Sequence, residues 1–311
     1  DPMGRLLAHK QQINDQAEEL IVLNTYDALG QLESKKIGGA VAAQTENSEG
    51  LQTVNYGYNI RGWLKTINDD AHADNDLFDF TLNYNNPTSG TALYNGNISQ
   101  TSWHTLNTDA NIKTYTYTYD PLNRITSATD NTTNYNLNLV DYDKNGNILA
   151  LQRKGHLNAE ARSFGMMDDL SYTYNHGNQL QKVTDTGNKN YGFKDGSNTD
   201  NDYSYDLNGN MISDANKGIA NITYNHLNLP TEVQFGAANK IQYLYDASGI
   251  KLEKKVTEGS NITKTLYAGN AIYQNNVLQF FNTPEGYATP KNATDYSQGF
   301  NYVYQYKDHL G

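Results

Sequence analysis

The chain has 311 residues, of which 37% are hydrophobic and 25 are tyrosine; it has no cysteine, and its formal net charge is −11. This acidic balance, without a cluster of lysine and arginine, excludes the electrostatic footprint of a nucleic-acid-binding protein. The lack of cysteine excludes a disulfide framework and thiolate metal sites, and no apolar run reaches the length of a membrane helix. The abundance of aromatic residues argues against disorder.

The N-terminus, Asp1-Pro2-Met3-Gly4, lacks the features of a signal peptide, so we expect the chain to be a fragment of a longer protein. The following segment, residues 13–23, is compatible with a helix or with a hairpin that turns at Asn14-Asp15. We favour the hairpin because Leu20 and Val22 alternate in strand fashion and lead directly into Tyr26. The helix stays open as the alternative.

From Tyr26 onward a short phrase returns along the chain: a tyrosine, then Asp or Asn, then Gly or Asn three residues later. The spacing is irregular, and Tyr84-Asn85 is a degenerate copy. We call each complete copy an anchor unit. The eight anchor units are Tyr26-Asp27-Ala28-Leu29-Gly30, Tyr58-Asn59-Ile60-Arg61-Gly62, Tyr119-Asp120-Pro121-Leu122-Asn123, Tyr142-Asp143-Lys144-Asn145-Gly146, Tyr174-Asn175-His176-Gly177-Asn178, Tyr205-Asp206-Leu207-Asn208-Gly209, Tyr224-Asn225-His226-Leu227-Asn228 and Tyr245-Asp246-Ala247-Ser248-Gly249.

Each anchor unit predicts a β-hairpin. The residues before it alternate, as in Lys113 to Tyr119, so their tyrosines share one face of a strand. The Asp or Asn oxygen binds backbone N–H groups and opens a turn, and the Gly or Asn tolerates the positive φ that closes it. An apolar residue then starts the next strand. The predicted starts are Leu32, Leu64, Ile125, Ile148, Leu180, Met211 and Leu229.

One hairpin is marginally stable in water, so repeated hairpins indicate an array in which each buries the face of its neighbour. We therefore predict an all-β fold, an open antiparallel sheet of hairpins, with residues 1–311 forming a single repeat region. The candidate site residues are structural anchors of this array. They are Tyr26, Asp27, Gly30, Tyr58, Gly62, Tyr119, Asp120, Arg124, Tyr142, Asp143, Gly146, Tyr174, Tyr205, Asp206, Gly209, Tyr224, Tyr245, Asp246 and Gly249.

The repeated aspartates resemble catalytic or metal carboxylates, but their recurrence in the same phrase favours turn chemistry. The segment from Asp141 to Asn147 resembles half of a calcium loop, yet Gln152 stands where that loop needs a bidentate glutamate. The histidines lack metal-ligand spacing, and no nucleophile elbow, phosphate loop or dinucleotide motif occurs. We predict no catalytic residue, no cofactor and no metal.

The tyrosine rows, such as Tyr115 and Tyr117, have two interpretations. They could stack sugars or bases, or they could pack neighbouring strands together, and packing is the more common role. Trp63 and Trp103 are likewise interpreted as packing residues.

The units Tyr119 to Ile125, Tyr142 to Ile148 and Tyr205 to Met211 resemble the YD repeats of the Rhs family. The final residues, Tyr306-Lys307-Asp308-His309-Leu310-Gly311, resemble the opening of the Rhs-associated core, and the segments from Tyr58 to Ile67 and from Tyr94 to Ser99 resemble Rhs-like proteins of Bacteroidetes type. The resemblance covers essentially the whole chain and extends to the C components of insecticidal toxin complexes and to the teneurins.

The resemblance implies a spiral sheet that forms part of the wall of a hollow shell around a toxic C-terminal domain. In such proteins an autoproteolytic core downstream of the repeats frees the toxin, so no catalytic residue is transferred to this chain. We expect a structural shell segment of a secreted or surface Rhs-like polymorphic toxin of bacterial competition, not an enzyme. Its partners would be the rest of its own shell and the enclosed toxin domain. The alternative is a cell-surface recognition or adhesion module that binds a glycan or a protein.

Overall fold

The computed structural model describes residues 1–40, 50–68, 76–106, 109–196 and 199–311, with only the backbone described for residues 109 and 110. Strands in the first part of the chain are β1 Ala8–Gln11, β2 Glu19–Tyr26, β3 Leu32–Ile37, β4 Gln52–Tyr58, β5 Leu64–Ile67, β6 Phe78–Asn83, β7 Gln100–Thr105, β8 Asp109–Tyr119, β9 Ile125–Asp130, β10 Leu137–Tyr142, β11 Ile148–His156, β12 Phe164–Tyr174 and β13 Leu180–Asp185.

The remaining strands are β14 Tyr203–Tyr205, β15 Met211–Asp214, β16 Asn221–Tyr224, β17 Pro230–Phe235, β18 Asn239–Tyr245, β19 Lys251–Glu258, β20 Asn261–Ala268, β21 Ala271–Gln274, β22 Val277–Thr283, β23 Gly286–Pro290 and β24 Phe300–Tyr304. A short 3₁₀ turn, Tyr296–Gln298, precedes β24. No α-helix occurs among the described residues, so the all-β prediction is confirmed.

The strands pair in chain order, from β1 to β13, then β14 with β15, then β16 to β24, and neighbours run antiparallel. This is the open meander of hairpins that the repeats predicted. The predicted hairpin near the N-terminus is confirmed as well, since β1 pairs with β2 around a turn in which Asn14 has φ 51°.

All eight anchor tyrosines end a strand at the same register irregularity. Tyr119, for example, lies opposite Ile125 after a shift between Thr118 and Tyr119. Six of the seven predicted strand starts are correct. Leu229 was the wrong choice, because it closes the turn and β17 begins at Pro230, which lies opposite Tyr224.

The chain divides into two compact units. The first unit contains Asp1–Pro87, Gln100–Thr114 and Tyr267–Gly311, and the second contains Thr88–Ser99 and Tyr115–Leu266. The prediction of a single repeat region over residues 1–311 stays a prediction.

In the first unit the apolar run Leu20-Ile21-Val22 of β2 is buried on both faces. Such continuous apolar runs are typical of strands covered on both sides. The C-terminal strands supply part of this cover: the Tyr304 hydroxyl donates to Glu19 Oε1 at 2.9 Å. The Lys35 ammonium lies 3.1 Å from both carboxylate oxygens of Glu285, and this pair is mostly buried. Residues far apart in sequence therefore share one core.

The second unit has fewer buried apolar side chains. They are Ala128, Val140, Met167, Leu170 and Val183. In β17 every residue is half-buried, so both faces of that strand keep contact with solvent. This exposure explains the tyrosine-rich composition, because a tyrosine covers apolar surface while its hydroxyl meets water or an acceptor.

Shortening a buried side chain should destabilise the protein more than shortening an exposed one. Ile21→Ala should lower the free energy of unfolding of the first unit by about 2–5 kcal/mol, because Ile21 is fully buried. Leu244→Ala, at a side chain that is 56% exposed, is the control and should change stability far less. Urea denaturation measures both, and equal losses would contradict the position assigned to the core.

Candidate functional site

The recurrent feature of the structure is the turn that follows each anchor tyrosine, which we call the anchor turn. We number its residues from the Asp or Asn as positions 1 to 5. In the turn of Asp206, the Oδ1 atom accepts hydrogen bonds from the N–H of Asn208 at 2.9 Å and of Asn210 at 2.8 Å. The backbone of Asp206 also pairs with Asn210 and accepts from Gly209. One side-chain oxygen thus satisfies two N–H groups that the tight turn leaves without backbone partners.

The same pair of bonds, to positions 3 and 5, occurs at every anchor unit. The position-1 residues that make it are Asp27, Asn59, Asp120, Asp143, Asn175, Asp206, Asn225 and Asp246. Asp1 makes it too, with Met3 and Arg5, so residues 1–5 form a further turn of the same kind.

Position 5 completes several of these turns through its side chain. The Arg124 Nε donates to Asp120 Oδ2 at 2.7 Å, and the Asn147 amide donates to Asp143 Oδ2 at 2.8 Å. The backbone N–H of Arg124 is the largest cause that lowers the pKa of Asp120, and the Asn147 amide is the largest for Asp143. The ionised carboxylate is therefore the form that holds the turn.

Among the described residues, seven of the eight anchor tyrosines, all except Tyr174, link one hairpin to the preceding one. The Tyr119 hydroxyl donates to the Ile98 carbonyl at 2.8 Å, and the Tyr142 hydroxyl donates to the Ile125 carbonyl at 2.8 Å. In most of these bonds the acceptor is the residue that starts the strand after the preceding anchor turn. The further bonds of this kind are Tyr26 to Leu6, Tyr58 to Leu32 and Tyr84 to Leu64 in the first unit, and Tyr205 to Leu180, Tyr224 to Met211 and Tyr245 to Pro230 in the second.

Arg124 has a further role in this link. Its guanidinium lies 4.4 Å above the ring centroid of Tyr142 and donates to the Asp143 carbonyl at 3.1 Å. Arg5 lies over Tyr26 in the same way, at 4.6 Å. These cation–π contacts add to the hydroxyl bond between consecutive hairpins.

The structure places the predicted tyrosines, aspartates and glycines at three different positions of the anchor turns. The tyrosines end strands, and the Asp residues occupy position 1. The glycines occupy position 4 with positive φ; they are Gly30, Gly62, Gly146, Gly209 and Gly249. Tyr174 ends β12 before Asn175 like the others. The Asp side chains therefore hold their own turns, and most of the tyrosine side chains bind the preceding hairpin.

Sequence reasoning missed a second set of carboxylates at the far ends of the hairpins. Asp130, Asp185 and Asp214 end β9, β13 and β15, and all three are buried. Asp130 accepts N–H bonds from Thr132 and Tyr135, so it caps the opposite turn. A signal was present: Asp130 and Asp185 each follow an anchor tyrosine by 11 residues and each follow a threonine.

The other candidates have ordinary packing contacts. Gln152 donates to Asp169 Oδ1 at 3.0 Å instead of facing the loop that resembled a calcium site. Among the described residues, no group of three or more His, Asp or Glu side chains could hold a metal ion. Trp63 packs against Tyr84 with ring centroids 5.2 Å apart, and His156 meets Tyr191 edge-on. In the described part of the chain, no helix has the length and apolarity needed to cross a membrane.

No protein-family model and no curated protein sequence matches the chain. Solved structures do. A crystal structure of TcdB2-TccC3-TEV superimposes with a TM-score of 0.57 at 14% identity, over 92% of this chain and 15% of that chain. The Photorhabdus luminescens Tc holotoxin pore with a mutated TccC3 gives a TM-score of 0.56 at 14% identity, over 93% of this chain and 14% of that one.

The chain has an Rhs-like fold. It shares this fold with a segment of the Tc toxin proteins, whose chains are far longer, since it spans about 15% of their length. TcdB2-TccC3 without its hypervariable C-terminal region matches as well, with a TM-score of 0.53 at 13% identity, over 87% of this chain and 14% of that one. The predicted fold is confirmed, and the narrower resemblance to Bacteroidetes-type proteins stays a prediction.

The hydroxyl link predicts a measurable loss on its removal. Tyr119→Phe deletes the bond to the Ile98 carbonyl but keeps the ring, so it should lower the free energy of unfolding of the second unit by about 0.5–1.5 kcal/mol. Tyr135→Phe is the control, because the described residues offer its hydroxyl no hydrogen-bond partner. Urea denaturation compares the two, and losses of equal size would refute the link.

Burial raises the pKa of Tyr58, Tyr119 and Tyr205 above the ordinary value of 10.0. A raised pKa means that folding favours the neutral phenol. The resulting stability is complete below pH 10.0 and is lost as the pH rises through the folded-state pKa. We expect cooperative alkaline unfolding above that pH, followed by circular dichroism and by tyrosinate absorbance. Ionisation of all tyrosines near pH 10 without loss of strand signal would contradict this expectation.

Proposed function

We propose that this chain is a structural segment in the shell of a secreted or surface Rhs-like toxin protein, and that the shell encloses or presents a toxin domain. The observation that carries the proposal is the row of anchor turns. In this row, among the described residues, seven of the eight anchor tyrosines bind a hairpin to the preceding one through their hydroxyl. An array built in this way extends by adding hairpins, which is what a wall requires.

The fold comparison supports the same proposal. The chain matches segments of TcdB2-TccC3 over about nine-tenths of its length, and one matching structure is of a Tc holotoxin pore. At 14% identity this likeness concerns the fold. Containment of a toxin is therefore our proposal for this chain, and the experiment below tests it.

The chemistry of the residues suits a wall better than a reaction centre. The anchor carboxylates accept N–H groups of their own turns, and in Asp120 and Asp143 both carboxylate oxygens make such bonds. We infer that this segment is not catalytic. Its partners in the proposal are the rest of its own shell and the enclosed domain.

The test uses the full-length protein encoded by the natural gene. We expect an intact-mass measurement to show a cleaved downstream domain that co-elutes with the shell in gel filtration and resists added protease. Tyr119→Phe combined with Tyr205→Phe loosens the wall at two links and should increase protease cleavage of that domain. Tyr135→Phe, made in parallel, should leave the protection unchanged.

A single uncut chain whose downstream residues are digested as fast as an unprotected peptide would overturn the proposal. That result would favour the recognition or adhesion module. For that module the exposed side chains at the turn tips, Leu29, Leu122 and Leu207, are the candidate contacts. Their exposed fractions are 86%, 68% and 106%. Leu122→Ser with Leu207→Ser should then reduce binding to a partner surface and leave stability unchanged.

A further inference from the structure

Position 4 of the anchor turn is sometimes glycine and sometimes asparagine, although both adopt positive φ. Asn123, Asn178 and Asn228 have φ values of 63°, 60° and 58°. Conformational freedom alone does not explain the alternation, because glycine is the better residue for this backbone at every turn. The choice follows the side chains of the preceding turn.

Each of the three asparagines accepts two hydrogen bonds from the turn before it. Asn178 Oδ1 accepts from the amides of Asn145 and Asn147, both at 2.9 Å. These donors are positions 3 and 5 of the preceding anchor turn. Asn228 Oδ1 accepts in the same way from Asn208 at 3.4 Å and Asn210 at 2.9 Å.

The third asparagine, Asn123, also accepts two hydrogen bonds, but its donors lie in a shorter turn. Asn123 Oδ1 accepts from Asn95 at 2.7 Å and from Asn97 at 3.1 Å. In all three cases a pair of asparagines in one turn donates to a single asparagine oxygen in the next. The donors are short side chains, so room is left between the turns for the accepting side chain.

Where glycine stands at position 4, the preceding turn usually fills that room itself. A Cβ atom at Gly30 would lie 3.1 Å from the Arg5 guanidinium, and one at Gly62 would lie 3.1 Å from the Gln31 amide. One at Gly249 would lie 3.1 Å from Leu229 Cδ1. Distances of this size are tighter than ordinary contacts, so an asparagine there would have to displace its neighbour.

At two glycines, Gly146 and Gly209, the preceding turn leaves room for a Cβ atom. A Cβ atom at Gly209 would lie 3.7 Å from the Gln179 amide, an ordinary contact, and one at Gly146 would have open space. At Gly146 the preceding Arg124 instead reaches over Tyr142 to the Asp143 carbonyl. In neither case does the preceding turn present the asparagine pair that an accepting side chain would need.

We propose that the turn edge is a recognition surface between consecutive hairpins of this chain. An anchor turn with asparagines as its donor pair selects a following turn with asparagine at position 4. A turn with a long side chain at position 5 selects a following glycine. The partner of each turn is thus the next anchor turn of the same chain. The pairing of position-5 and position-4 residues determines which hairpins can lie side by side.

A double-mutant cycle on the intact 311-residue chain tests the matching. The single changes are Asn178→Gly, which removes the acceptor, and Asn147→Gln, which places a long side chain where Asn178 lies. The double variant recreates the natural arrangement of Asp27, Gln31 and Gly62. Hydrogen exchange of the β12–β13 amides, corrected for intrinsic rates, reports the local opening of this hairpin.

We expect each single change to speed exchange by about two- to ten-fold, the range for losing one or two side-chain hydrogen bonds. The double variant should return to within about two-fold of the original rate, because the longer amide side chain of Asn147→Gln then occupies the room that Asn178→Gly leaves. The pair Asn210→Gln and Asn228→Gly repeats the test at an independent site, read on the β16–β17 amides.

The control is Asn276→Gly, in the tight turn between β21 and β22, where Asn276 has φ 67°. The described part of the chain gives its side chain no hydrogen bond, so the change should leave local exchange unchanged or slow it. The proposal is overturned if Asn178→Gly behaves like this control. It is equally overturned if exchange in the double variant is as fast as the two single effects multiplied together.

Discussion

The structure depends on a hydrogen bond that seven of the eight anchor tyrosines, all of them in the described part of the chain, make to a backbone carbonyl that precedes their own hairpin. In an antiparallel meander the strand ladder already joins neighbours, but a ladder alone allows a hairpin to slip by two residues. The hydroxyl bond requires one register, since the tyrosine at the end of one strand must reach the first residue of another. Tyr142 and Ile125 illustrate the requirement, with the guanidinium of Arg124 covering the same ring.

The turn chemistry follows from this bond. The tyrosine can reach its acceptor only if the turn after it closes tightly and reproducibly, and the position-1 oxygen ensures that closure by accepting two N–H groups. Glycine or asparagine at position 4 supplies the left-handed residue, and position 5 carries the contact onward to the next turn. Tyrosine, aspartate and glycine therefore recur together because each one makes the others effective.

The local part of this scheme could be predicted from the sequence. Alternation before Tyr119 and the Asp-to-Asn phrase after it specify a strand and a turn within a few residues, and such short-range rules hold regardless of the rest of the chain. The contacts between hairpins could not be predicted in the same way. The Tyr119 hydroxyl donates to a backbone carbonyl. Every residue has a backbone carbonyl, so the sequence does not indicate which residue is the acceptor.

Contacts between residues far apart in the sequence could not be predicted for a similar reason. Lys35 and Glu285 form a mostly buried pair across 250 residues of sequence, and no periodicity connects them. The buried Asp130 and Asp185 lie outside the tyrosine phrase, so the phrase does not indicate them, although both follow an anchor tyrosine by 11 residues. The misplaced strand start at Leu229 has a simple cause: an apolar residue at position 5 resembles the start of a strand, and only the register opposite Tyr224 separates the two.

Whether the anchor hydroxyls join the hairpins can be measured through the exchange of the tyrosine hydroxyl protons with solvent, observed by nuclear magnetic resonance on the protein labelled at the tyrosine rings. The account predicts slow exchange for hydroxyls bound to carbonyls of the preceding hairpin, such as those of Tyr119, Tyr142 and Tyr205. The Tyr135 hydroxyl should exchange too fast to be observed. If the anchor hydroxyls exchange as fast as that of Tyr135, the hairpins are not joined by this bond, and the account of the repeat is wrong.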